Sequence, residues 1–204
     1  MLVLQSSTFD GWTTIPEGDG DLAIHNTGAD GTATSIKHVS RTTINSGPGQ
    51  SIETGCFVRD QFYEIEAKIM LLDASGNATS CDKSAGWNDP LFCPLFSIWG
   101  NHGETGWDNF WFDVPNNDTS TWVAGSFNVY HAVFQVTDEL MTATEASFVF
   151  RGLPVGVQVI VDSVYLTPYN HEPGYMPDGW GLYEFDFFAS SSTFEVNPYS
   201  QSTW

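Results

Sequence analysis

Five of the eight tryptophans in this chain, Trp87, Trp99, Trp107, Trp111 and Trp122, fall in one stretch rich in Asn, Asp, Gly and His. Tryptophan is highly buried on average, so a single Trp in a loop is most simply an anchor to a core. A cluster of them in polar, glycine-rich sequence points elsewhere. An indole has a flat apolar face and one hydrogen-bonding edge. That suits stacking on sugar rings, whose C–H faces are apolar and whose hydroxyls need amide and carboxylate partners. Carboxylate chemistry is the second candidate. Glu64 and Glu66 are two residues apart, hence on one face of a strand, and paired carboxylates are what glycoside hydrolysis uses. Asp108 and Asp113 complete the acids from which such a pair could be drawn. The plainer reading of Glu64 and Glu66 is a solvated outer face shared with Lys68.

Other chemistry finds little support. The Glu-x-Asp-x-x-Glu spacing of concave-sheet β-glucanases is absent, since Glu64-Ile-Glu66-Ala-Lys-Ile breaks it at both later positions. There is no Gly-x-Ser-x-Gly elbow and no phosphate-binding glycine loop. The five histidines (25, 38, 102, 131 and 171) are scattered. One acid is awkwardly placed. Asp162 interrupts the β-branched run Val157-Gln-Val-Ile-Val-Asp-Ser-Val164, and burying a bare carboxylate is expensive. It must sit at a sheet rim, accept hydrogen bonds, or ligate a cation.

Charge narrows the partners. Against 25 Asp+Glu stand 6 Lys+Arg, a formal net charge of -19 over 204 residues. Nucleic acid and anionic membrane surfaces both require basic footprints and are disfavoured; a neutral or cationic ligand fits. No apolar run is long enough to span a membrane, and no signal peptide is legible at Met1. Cys81 and Cys93 flank a turn-rich stretch and are expected to close it as a disulfide, leaving Cys56 as a buried free thiol in a strand-like setting. With no Cys-x-x-Cys and few histidines nearby, zinc is not indicated. Asn77-Ala-Thr79 and Asn117-Asp-Thr119 are glycosylation sequons in expected loops, which agrees with a secreted, extracellular protein.

The elements that must position these residues read as strands. Phe62 to Leu72 alternates Tyr63, Ile65, Ala67, Ile69 and Leu71 against Glu64, Glu66, Lys68 and Met70, one face core and the other solvated over most of its length. Phe148 to Leu166 reads as two strands joined in a hairpin by Gly152-Leu-Pro-Val-Gly156. Helical periodicity is confined to a single turn within 136–146. Short apolar runs broken by Gly, Pro, Asn and Asp predict an all-β fold, a β-sandwich jelly roll of two antiparallel sheets. Residues 1–168 form that domain, and 169–204 form an aromatic-rich extension expected to pack on it.

Several features occur in an order that resembles the jelly-roll carbohydrate-binding modules of families 4, 9, 16 and 22. They are Phe9-Asp10 then Trp12, Gly31…Ser35-Ile-Lys37, Gly47-Pro-Gly-Gln50, Tyr63-Glu-Ile-Glu-Ala-Lys-Ile, Trp122 opening a late strand, and Ile160-Val-Asp162-Ser-Val164. The resemblance covers about residues 6 to 168. It implies a non-catalytic domain of two antiparallel sheets that binds polysaccharide on a concave face, with a structural calcium near the first and last strands. Asp10 and Asp162 then become calcium ligands, hard oxygen donors of the kind that ion takes. Gln50 becomes a ligand-facing amide, and Trp122 a packing residue. Asp10 stands where the family usually has Glu, and the segment 73–117 is longer than the family leads one to expect.

The reading that follows is a secreted β-sandwich binding a neutral polysaccharide, for instance a β-glucan. Trp87, Trp99, Trp107 and Trp111 form the stacking pool, with Gln50, Tyr130 and Gln135 as polar partners. Tyr130 and Gln135 lie on opposite faces of a regular strand, so at most one of them meets the ligand. Other domains of a larger secreted protein are expected partners. Two alternatives are a glycan-active enzyme using the acids above and an extracellular-matrix or adhesion domain.

Overall fold

Residues Phe62–Leu72 show what the sequence imposes on the fold. In the computed structural model, which describes residues 2–4, 11–16, 18–103 and 109–169, they form an eleven-residue strand. Tyr63, Ile65, Ala67, Ile69 and Leu71 are buried, whereas Glu64, Glu66 and Lys68 keep partial access to solvent. A strand with one apolar face is stable only against a second layer.

The described residues form twelve strands: β1 (Leu2–Leu4), β2 (Trp12–Ile15), β3 (Asp21–His25), β4 (Ser35–Val39), β5 (Gly47–Ile52), β6 (Phe62–Leu72), β7 (Ala78–Thr79), β8 (Leu95–Asn101), β9 (Asn109–Val114), β10 (Asn128–Gln135), β11 (Glu145–Arg151) and β12 (Gln158–Pro168). A seven-stranded sheet runs β10-β6-β12-β4-β3, with β1 on β12 and β7 on β6; a five-stranded sheet runs β2-β5-β11-β8-β9. All of these pairings are antiparallel. The core between the sheets takes Ile65, Ile69, Tyr130, Phe134 and Val161 from one and Phe96, Ile98, Phe148 and Phe150 from the other. This is the two-sheet β-sandwich that the alternating pattern predicts. The expected helical turn is α1 (Asp138–Thr142), where the Thr137 hydroxyl accepts from the Leu140 amide at 3.3 Å.

Tyr130 joins the layers. Its hydroxyl accepts from the Phe96 amide at 2.8 Å and donates to the Val114 carbonyl, so a β10 side chain satisfies backbone groups of β8 and β9. Burial pushes its phenol up from the ordinary value.

Three expectations require correction. The stretch 148–166 is not a hairpin, because β11 pairs with β5 and β8 while β12 pairs with β6, β4 and β1. The Gly152–Gly156 turn therefore carries the chain from one sheet to the other. Cys56 is exposed, in a short 3-10 helix over Thr54–Cys56. Its neighbour Phe57 takes the buried place, edge-on to Tyr63 at 4.9 Å between ring centroids. Trp122 is buried as a packing residue, but it lies before β10 instead of opening it. The expectation for 169–204 falls almost wholly outside the described residues.

Candidate functional site

Strand periodicity sorts the five-stranded sheet into two faces. On β8, Phe96 and Ile98 enter the core, so Ser97, Trp99 and Asn101 face outward. On β9, Phe110 and Val114 are buried and Trp111 and Asp113 are exposed. On β11, Ala146, Phe148 and Phe150 point inward, leaving Glu145, Ser147, Val149 and Arg151 on the outer face. The register then sets Trp99 opposite Trp111, Ser97 opposite Asp113, and Ser147 opposite Trp99. Residues directly opposite share a face and touch. The Trp99 and Trp111 rings are 6.4 Å apart between centroids.

Trp87 reaches the same place from outside the sheet. The Cys81–Cys93 disulfide closes its loop, as the spacing predicts. Within that loop the Asp82 amide donates to the Leu91 carbonyl at 2.8 Å, and Trp87 packs edge-on to Phe92 at 5.4 Å. The loop docks on Gly152, directly after β11. Gly152 has φ +91, and a Cβ there would lie 2.8 Å from the Phe92 ring and 3.3 Å from Trp87, so only glycine fits both backbone and neighbours.

Arg151 binds these parts together. Its guanidinium carbon lies 5.2 Å from the centre of the Trp87 ring and 4.6 Å from that of Trp111. In the guanidinium plane, Nε donates to Ser97 Oγ, Nη1 to Asn45 Oδ1 and Nη2 to Asp113 Oδ1, each at 2.8 Å. Ser97 Oγ in turn donates to Asp113 Oδ1. The Arg151–Asp113 pair is the kind of shielded, hydrogen-bonded ion pair that exceeds an exposed one, since the Arg151 side chain is only 11% exposed. Trp87 and Trp111 nevertheless keep 41% and 39% of their surface in solvent.

Of the expected stacking pool, Trp87, Trp99 and Trp111 are thus brought together; Trp107 lies outside the described residues. The three expected polar partners are not part of the cluster. Gln50 pairs with Trp12 and Phe148 and shares their core-facing side. Tyr130 is fully buried with its hydroxyl committed. Gln135 is on the other sheet, donating to the Asp60 carbonyl at 3.1 Å. The groups that do surround the rings, Arg151, Ser97 and Asn45, carried no motif. Their one local signal is parity, because Ser97 lies between buried Phe96 and Ile98 and Arg151 follows buried Phe150.

The acids are dispersed. Glu64 and Glu66 are on the outer face of the seven-stranded sheet, Glu64 near His131 at 3.3 Å and accepting from Thr167 at 3.1 Å, Glu66 near Lys68 at 3.7 Å. Asp113 is on the other sheet, and Asp108 is outside the described residues.

Asp162 sits where the register of β12 against β6 shifts, with Ser163 at φ +51. Its carboxylate accepts from the Ala29 amide at 2.7 Å, the Thr32 hydroxyl at 2.6 Å and the Ser163 amide at 2.8 Å. Thr32 Oγ1 is also 2.7 Å from the Ala29 carbonyl oxygen. A hydroxyl has one proton, so one of these two close oxygen contacts lacks a hydrogen. Such a group of oxygens fits a hard cation, with Asp162 as its acidic member. No three His, Cys, Asp or Glu side chains converge among the described residues, and Asp10 is not among them.

No family model matches the sequence, and no curated protein matches it. Solved structures do match in fold. The CBM22-1 xylan-binding domain of Paenibacillus barcinonensis Xyn10C is similar over 83% of this chain and 93% of its own, at 13% identity and a TM-score of 0.57. The tandem CBM22-1-CBM22-2 domain of the same protein matches over 84% of this chain and 46% of its own, at 15% identity and TM-score 0.59. The CBM22-1-GH10 modules of Clostridium thermocellum endo-1,4-beta-D-xylanase 10B, complexed with xylohexaose, match over 80% of this chain and 27% of theirs, at 17% identity and TM-score 0.54. The fold is that of the jelly-roll carbohydrate-binding modules.

Proposed function

We propose that this domain binds a neutral polysaccharide without altering it, against Trp99, Trp111 and Trp87 on the outer face of the five-stranded sheet. The observation that carries this reading is the pair of exposed rings, Trp87 and Trp111, held about one guanidinium. Exposed indoles in a fixed polar setting are what sugar stacking requires. A net charge of -19 supports a neutral chain over an acidic one. Because a domain of the same fold is described as xylan-binding, xylan is tested beside β-glucan. We further propose that the protein is secreted, works beside other domains, and carries glycans at Asn77, which is exposed between β6 and β7, and at Asn117.

In native gels containing soluble xylan or soluble β-glucan, wild type is expected to be retarded by at least one. Trp99→Ala/Trp111→Ala is expected to bind about tenfold more weakly or worse, as truncated anchor residues do. Equal mobility of wild type with and without both polymers would sink the proposal. Release of new reducing ends at catalytic protein concentrations would instead support an enzyme.

We also propose that calcium is held at Asp162, beside the Thr32 hydroxyl and the Ala29 carbonyl. There it would neutralise the carboxylate and tie β12 to the loop between β3 and β4. Chelator is then expected to lower the melting temperature of wild type and to leave Asp162→Ala unmoved. A melt insensitive to chelator removes the metal.

A further inference from the structure

An arginine in contact with two tryptophans in a carbohydrate site has two readings with opposite consequences. It is either a plug, occupying a slot that a sugar ring would otherwise enter, or a pillar that holds the rings where they are needed. The hydrogen bonds decide between them. Displacing Arg151 would break three bonds of 2.8 Å, to Ser97, Asn45 and Asp113, one of them to a carboxylate. It would also leave Asp113 without its cation. Ser97, which anchors Nε, is itself fully buried. A plug has to leave readily, and this group is tied at three nitrogens and lies against two indole rings.

We infer that Arg151 is a positioning residue of the polysaccharide site. Its guanidinium plane fixes Trp87, carried by the disulfide loop, against Trp111, carried by the sheet, so that two elements distant in sequence present one binding surface. The inference rests on the proposed function. It adds that specificity depends on the relative placement of these two rings, and that the side chain in contact with both of them sets it. A planar cation in contact with two rings while its fork makes three hydrogen bonds is something that lysine cannot supply.

The test measures affinity for xylohexaose and for a β-glucan hexasaccharide by calorimetry, together with acrylamide quenching of tryptophan fluorescence, which needs no ligand. Arg151→Met keeps much of the side-chain bulk but lacks the plane and the donors. It is expected to lose about tenfold or more in affinity and to show increased quenching as Trp87 is released. Arg151→Lys is expected to restore little of either. Adding Arg151→Met to Trp87→Ala should weaken binding far less than it does in wild type, because Arg151 acts through Trp87. A merely structural role would lower the melting temperature without that coupling. Tighter binding by Arg151→Met would make the residue a plug, and unchanged binding and quenching would make it a bystander; either overturns the inference while the proposed function stands. Wild type that binds neither sugar nor either polymer overturns the proposed function, and this inference with it.

Discussion

Replacing Arg41 by methionine is expected to cost about 3 kcal/mol or more of folding stability, a large share of what a single domain has. Arg41 is 4% exposed and has no carboxylate within salt-bridge reach among the described residues. Its donors go to backbone carbonyls. Nη1 donates to Thr43, Ser46 and Leu153, Nη2 to Pro154 and Val157, and Nε again to Val157. Burial pulls its pKa down to about 10, against the pull of Asp19, so it stays charged at neutral pH. Methionine would take a donor from five carbonyls; those of Thr43 and Pro154 keep another, from the Ser46 hydroxyl and the Val157 amide, but the contacts to Ser46 and Leu153 are buried, and an unsatisfied buried acceptor costs about 1–3 kcal/mol before relaxation. Lysine keeps the charge but has only three N–H groups and no fork, so Arg41→Lys should recover a minority of the loss. Urea unfolding at pH 7 reads both; midpoints within experimental error of wild type would show that the cage contributes nothing.

The effect extends to the binding face. The carbonyls that Arg41 gathers belong to the loop 43–46 and to the connection after β11. The first contains Asn45, which accepts from Arg151, and the two are also joined by the Gly152 amide donating to the Ile44 carbonyl at 2.8 Å. One buried arginine thus organises the loops on which the exposed site rests.

What the sequence could reveal follows the range of the physics. The β6 alternation is local, and it predicted the core face throughout and the solvated face as far as Lys68, while Met70 on that second face is buried. The turn Gly152–Gly156 was legible as a turn, but a hairpin and a crossing between sheets begin with the same residues, and only the partners of β11 and β12 separate them. Tyr130 looked like a ligand group because a phenol on a strand has no local marker for a bond across the core. Trp87, Arg151 and Trp111 come from a loop and two strands, joined by a planar fork that no periodicity encodes. The tryptophans were conspicuous by type; the arginine between them was not. Cys56 misled because its neighbours suggested a strand while Phe57 held the buried position.

The second large effect concerns pH, and it arises beside Arg41. His38 is completely buried on β4, with Nε2 2.9 Å from the Asp19 carbonyl oxygen. That bond requires a hydrogen on Nε2, so the neutral ring leaves Nδ1 bare, and Nδ1 has no hydrogen-bond partner among the described residues. Protonation would place a charge there with no acceptor. Burial is the main reason its pKa is lowered to about 4; Arg41 adds to this, while the bond to Asp19 and the charges of Asp19 and Asp21 oppose it. A depressed folded-state pKa means that the unfolded chain binds the proton first as pH falls. The contribution of His38 is therefore complete above about 6.5 and drains away as pH drops toward about 4. Over that window the loss is roughly 3 kcal/mol, at about 1.4 kcal/mol per pH unit. The Asp19 carboxylate acts at lower pH. Burial would raise it, but the amides and hydroxyls of Thr42 and Thr43 donate to it, outweigh burial and hold it well below the usual carboxylate range, so its contribution is lost only in stronger acid. His38→Gln keeps a donor for the Asp19 carbonyl and cannot titrate. Its stability at pH 7 is expected to be somewhat lower than that of wild type, and the difference should move by roughly 3 kcal/mol in the variant's favour between pH 7 and pH 4, so that the order reverses. Unfolding both proteins in urea across this range decides the matter, since parallel profiles would mean that the buried imidazole is not what titrates.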